Sequence, residues 1–153
     1  MPEKAPRAAR GPKARAKPRE LVSRSGLIRE WNASVFVIAD VHHGSRERKS
    51  TLCMEFRGAL TKPVKSVSEF MLIVFAETEP TVGKADIPSI GSIISMRQTL
   101  DAVVPLAKGE FQMLATMAAA GKATSVHMSF QEPRYGSALI ASCTFSSQLP
   151  DDE

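Results

Sequence analysis

The chain has 153 residues, is 43 % hydrophobic and 24 % charged, and carries a net charge of +4. Such a length suits one domain with its own core, and such a composition sets aside wholesale disorder. Its longest apolar runs, Phe70 to Ala76 and Met113 to Ala120, are too short to span a bilayer, so no membrane partner is expected.

Charge is unevenly spread. Lys4, Arg7, Arg10, Lys13, Arg15, Lys17, Arg19 and Arg24 stand against only Glu3 and Glu20, which puts +6 on residues 1–24. The chain total of +4 then leaves −2 on the other 129 residues. A Pro- and Ala-rich basic segment with few aromatic or β-branched residues cannot offset its conformational entropy by burial. Residues 1–24 are therefore expected to form a disordered arm, residues 25–148 a single domain, and residues 149–153 a frayed acidic tail ending in Asp151, Asp152 and Glu153. The arm lacks the apolar stretch of a secretory signal, and Pro2, Pro6, Pro12 and Pro18 would interrupt the amphipathic helix of a transit peptide. Two cysteines without framework spacing fit a reducing compartment, and a cytoplasmic location is expected.

Asn32 to His42 is rich in Val, Ile and Phe and reads as a strand, Gly44 to Ser50 as a polar turn, and Thr51 to Leu60 as the returning strand. A turn centred between Arg46 and Glu47 sets Val41 opposite Leu52, Ala39 opposite Met54, Val37 opposite Phe56 and Val35 opposite Gly58. That face is expected to be core. The other face then pairs His42 with Thr51, Asp40 with Cys53, Ile38 with Glu55 and Phe36 with Arg57.

Thr61 to Glu69 reads as a connection, Phe70 to Ala76 as a buried strand, and Glu77 to Gly91 as a long loop dense in Pro, Gly, Asp and Thr. Ile93 to Val104 fits both periods; Pro105 biases its end toward extended backbone, which favours a strand. Phe111, Leu114, Ala115 and Ala118 recur at helical spacing ahead of Gly121, giving one helix over about 108–120. Thr124 to Gln131 alternates as a half-buried strand. With Pro133 to Gly136 as a four-residue loop, Phe130 faces Leu139, Met128 faces Ala141, Val126 faces Cys143 and Thr124 faces Phe145. The fold class is α+β: mostly antiparallel β with two hairpins (about 32–60 and 124–146) and one main helix, arranged as a layer or a strongly bent sheet and not as a βαβ parallel fold.

The chemistry offered is sparse. The basic arm suits counterion-releasing contact with a polyanion such as nucleic acid, through its eight cations. Without interleaved aromatics, that contact carries no sequence preference. The alternative is an arm that only solubilises, on a module that associates with a protein or with itself through a sheet face or edge. A third reading is enzymatic: Cys53 as nucleophile, His42 diagonal to it, and Asp40 opposite it. It lacks a local signature and an oxyanion hole, so a non-enzymatic protein is favoured. No metal is expected, since adjacent His42 and His43 point to opposite faces of a strand and the two cysteines lie 90 positions apart. Nor is a cofactor expected, because neither a phosphate loop nor a dinucleotide fingerprint occurs. Cys143 reads as a small buried hydrophobe and His127 as a surface histidine. Asp86 to Gly91, after Arg46 and Arg48, comes near the motif of cyclic-dinucleotide-binding barrels of the PilZ type, but its spacing departs from that pattern and supports no family assignment.

Overall fold

The computed structural model describes residues 19–149, with only the backbone of His42 described. Its elements run β1 (Leu21–His42), β2 (Ser45–Val64), β3 (Val67–Glu77), β4 (Gly91–Met96), β5 (Leu100–Ala107), α1 (Lys108–Ala119), β6 (Ser125–Gln131) and β7 (Ala138–Ser146). The chain is sheet-rich with one helix, in keeping with an α+β class. The expected layer is a closed barrel, in the order β1-β2-β3-β5-β4-β7-β6 and shut by β1 against β6. A ring of seven strands cannot alternate direction all the way round, so at least one neighbouring pair must be parallel. That pair is β3 with β5, and every other neighbouring pair is antiparallel, in keeping with a mostly antiparallel sheet.

Period-two alternation builds the interior. Phe56 and Met54 from β2, Phe70, Leu72 and Val74 from β3, Leu100, Ala102 and Val104 from β5, and Met128 and Phe130 from β6 all point inward and are buried. Helix α1 lays Phe111, Leu114 and Ala118 on the same core. Each buried Phe, Leu, Val or Met among them contributes roughly 1.5–3 kcal/mol by leaving water. Glu110 Oε1 accepts the Ala107 N–H at 2.8 Å at the helix start, and Gly121 (φ +70°) ends it. Pro105 sits where β5 has run past its last β4 partner, Val103, so that neighbour loses no ladder bond to it.

Sequence boundaries and registers shift in several places. The expected arm reached Arg24, yet Leu21 to Leu27 pair with Gln131 to Ser125, so the last four arm residues belong to the barrel. Residues 1–18 and 150–153, most of the expected arm and tail, lie outside the described residues. The span 93–104 is two strands parted by Arg97 to Thr99. The first hairpin turns at His43 (φ +46°) and Gly44 (φ +80°), not between Arg46 and Glu47. Its pairing therefore moves by six positions: Val35 faces Leu52, Ala33 faces Met54 and Trp31 faces Phe56. The later turn lies at Tyr135 (φ +53°) and Gly136 (φ +76°), which moves that pairing by two and sets Met128 opposite Cys143 and Val126 opposite Phe145. A bulge between Ser129 and Phe130 then brings Ile140, not Leu139, onto the core face. Gln131 is buried there, and its Oε1 accepts the Leu139 N–H at 3.1 Å.

Candidate functional site

The β1–β2 pair does not end at the barrel wall. Strand β1 pairs with β6 only as far as Leu27, and β2 meets β3 only from Cys53 onward, whereas β1 and β2 remain paired up to His42 and Ser45. Residues between about 35 and 52 thus form a two-stranded ribbon with no third strand among the described residues. Eight residues per strand carry it roughly 25 Å beyond the barrel.

Alternation continues along this ribbon after the barrel has stopped. Directly opposed residues share a face, so the face holding Phe56 and Met54 in the core runs on through Leu52 and Val35 and then along β1 through Val37, Ala39 and Val41, with Ser50, Arg48 and Arg46 opposite these three on β2. Val35 is 68 % exposed and Val41 70 % exposed. The β1 half of the expected core face is therefore solvent-facing, because no described element crosses over it, while Met54, Phe56 and Gly58 from its β2 half are buried as expected. On the opposite face Phe36 is 61 % exposed beside a half-exposed Ile38. An isolated two-stranded ribbon is marginal in water, and a contiguous uncovered apolar patch is a mark of an interaction surface. The ribbon carries an ion pair, Lys49 Nζ to Asp40 Oδ2 at 3.1 Å, with both side chains largely in solvent, so it adds little.

The enzymatic candidates do not converge. Asp40 stands opposite Glu47, and Cys53 opposite Ser34. Six strand positions, roughly 20 Å, therefore separate Asp40 from the Cys53 level, and His42 lies two positions farther along. The thiol is also tuned the wrong way for a nucleophile: burial first, then the charge of Glu55, push the Cys53 pKa up, against a smaller pull from the Ser34 hydroxyl. Cys143 shares the face of buried Met128, and burial raises its thiol from 9.0 to about 12. His127 lies on the outward face of its strand, partly exposed, with Nδ1 2.8 Å from Ser25 Oγ. Among the described residues no group of three or more His, Cys, Asp or Glu is placed to hold a metal.

Of the eight arm cations, Lys4, Arg7, Arg10, Lys13, Arg15 and Lys17 lie outside the described residues. The other two are tied to the barrel. Arg19 donates to the Ser137 carbonyl at 3.1 Å; Arg24 donates to those of Ser23 and Pro63 at 2.8 and 3.3 Å. The long loop is fastened as well: Gly83 and Ser89 exchange backbone hydrogen bonds, and the Ile90 N–H reaches the Ile140 carbonyl at 2.8 Å. Asp86 shares a shallow pocket with Arg19, while Arg46 and Arg48 stand near the ribbon tip, so the partial motif across them does not form one site. A second, smaller apolar groove lies along α1 between Leu106, Met113, Met117 and Phe145.

Sequence reasoning named Cys53, Asp40 and His42 from this hairpin but missed the apolar stripe as a surface. The signal was the polar run Ser45 to Ser50, whose charges cannot line a core. Among the described residues no helix is long and apolar enough to cross a membrane. No family model matches the chain, and neither a curated protein nor a solved structure matches it.

Proposed function

We propose that the protein is a small non-enzymatic association module whose protein-binding element is the β1–β2 ribbon. The observation that carries this reading is the stripe Val35, Val37, Ala39 and Val41, which prolongs the core face of the barrel into solvent. A partner laid on that stripe removes apolar surface from water and gives a marginal ribbon the third layer or strand it lacks. A second reading rests on charge: the +6 on residues 1–24 suits electrostatic, sequence-independent contact with a polyanion, most simply nucleic acid. The two are compatible, since ribbon and basic segment are separate parts of the chain. The cytoplasm is the location we propose, as the free thiols of Cys53 and Cys143 suit a reducing compartment.

The test is a pull-down from the protein's own cell lysate, with and without nuclease, using the full chain and a Val35→Ser, Phe36→Ser, Val41→Ser variant. A nuclease-resistant protein partner that the variant loses is the expected result. Retention of every partner by the variant removes the ribbon reading. For the polyanion reading, anisotropy titrations of duplex DNA should give log affinity against log salt a slope of roughly −4.5 to −6, flattened by about three to four units when Arg10, Lys13, Arg15 and Lys17 become Ala. Binding that keeps its slope without those four charges removes it.

A further inference from the structure

The two long edges of the ribbon differ in a way that points to its occupant. From Trp31 to Ala39 the β1 edge reads WNASVFVIA, nine residues without a charge, and among the described strands this stretch pairs with β2 alone. The β2 edge from Ser45 to Leu52 carries Arg46, Glu47, Arg48 and Lys49. Charges, above all lysine, are the usual means of keeping an edge strand from pairing, so the β2 edge is protected and the β1 edge is open. The turn fixes which backbone groups the open edge presents. With a two-residue turn at His43 and Gly44, the flanking His42–Ser45 pair is hydrogen-bonded, and the pattern alternates from there. Even-numbered residues of β1 thus bond to β2, while the N–H and C=O groups of Val35, Val37, Ala39 and Val41 face outward.

We propose that the occupant is a second copy of this chain, pairing its β1 antiparallel to this β1 about a two-fold axis, with Val37 opposite the same residue of the partner. This rests on the reading of the ribbon as a protein-binding element and names its partner. A two-fold axis perpendicular to the sheet sets one residue against its own copy, and the sequence discriminates among the choices. Centring on Val37 places Val35 against Ala39, Ala33 against Val41 and Phe36 against Ile38, apolar with apolar, while Ser34 meets Asp40 as a hydroxyl donor to a carboxylate. Centring on Phe36 sets Ser34 against Ile38. Centring on Val35 sets Glu30 against Asp40, two like charges directly opposed, which is destabilising. The product is a four-stranded sheet in the order β2-β1-β1-β2, whose outer edges are the charged ones. Such an arrangement is closed, because each copy uses its one open edge on the other.

The experiment uses the full chain. Sedimentation velocity over a concentration series should show a monomer–dimer equilibrium, and Val37→Lys should weaken it by about 100-fold, as expected where a central contact gives way to opposed like charges. Because Val37 is exposed, that variant should keep the native circular dichroism. Independently, Val37→Cys under mild oxidation should form an interchain disulfide, since directly paired Cα atoms fall within bridging range. Ser50→Cys, opposite Val37 on the far side of β2, should cross-link no faster than the unsubstituted chain with its native Cys53 and Cys143. A chain that stays monomeric throughout, or cross-links equally at 37 and 50, overturns the inference. A monomer that still loses a lysate partner on the serine substitutions leaves the ribbon reading standing and removes only the second copy.

Discussion

Two halves of one hairpin obey the same sequence rule and meet opposite fates. In the lower half, inward-facing Met54 and Phe56 are fully buried; in the upper half Val35 and Val41, on the same face of the same two strands, are 68 % and 70 % exposed. Alternation decides which face a side chain takes and says nothing about whether anything covers that face. Cover is a property of the neighbours: β3 and β6 flank the lower half, and past Cys53 and Leu27 both are gone.

The sharpest way to break the comparison is truncation on each half. Phe56→Ala opens a cavity in a closed interior where Phe56 also meets the Phe145 ring at 5.1 Å, and it should cost about 3–5 kcal/mol in urea unfolding. Val35→Ala should cost under about 0.5 kcal/mol, measured on dilute monomer, because a solvent-facing side chain has little burial to lose. Equal costs would mean that the ribbon folds back onto the barrel in solution.

Glycine replacement draws the same line at the backbone. A Cβ added to Gly58 would lie 1.8 Å from the Leu27 carbonyl oxygen, where β1 bulges between Ile28 and Glu30 and leaves the barrel. Gly58→Ala must push two strands apart, and a loss of about 1–3 kcal/mol or more should appear in the melt of the barrel. At Gly44 nothing lies within 4 Å, but φ is +80°. Gly44→Ala therefore strains only the turn, by about 1–2 kcal/mol. Amide exchange should rise along residues 35–52 while the barrel melts as before.

The same turns explain what was legible in the sequence. Helix α1 and the strand faces were readable because apolar spacing records them directly. Registers were not, since each depends on where a turn sits. His43–Gly44 and Tyr135–Gly136 lack the Asn or Asp that usually marks a two-residue turn with positive φ at both positions, and Lys65–Ser66 has no glycine at all (φ +45° and +72°). Reading the polar run after Gly44 as a longer turn displaced the first register by six and created the Asp40–Cys53 pair. The candidate site was hidden for a related reason. A run such as VFVIADV looks the same whether it lines a core or waits for one.

The two cysteines make the gentlest probe of the same boundary, because one stands at the seam and the other inside the barrel. Cys53 marks the last level at which β2 has β3 for company, so opening of the ribbon should reach it without unfolding the barrel. Cys143 is partly buried as a residue, and its thiol shares the inward face with Met128. In alkylation near neutral pH, neither should react as fast as an unstructured thiol, since burial raises both pKa values and thins the thiolate. Cys53 should nevertheless label first, at a rate that follows ribbon opening, and Cys143 only with global unfolding. The pH dependence follows with a definite sign. The folded Cys143 thiol keeps its proton up to about 12 while the unfolded one releases it near 9.0, so its contribution is complete below pH 9.0 and falls as pH rises through that window. Cys143→Ser should flatten that alkaline decline. If Cys143 labels as fast as Cys53 under native conditions, the barrel wall opens as readily as the ribbon, and the contrast between the two halves fails.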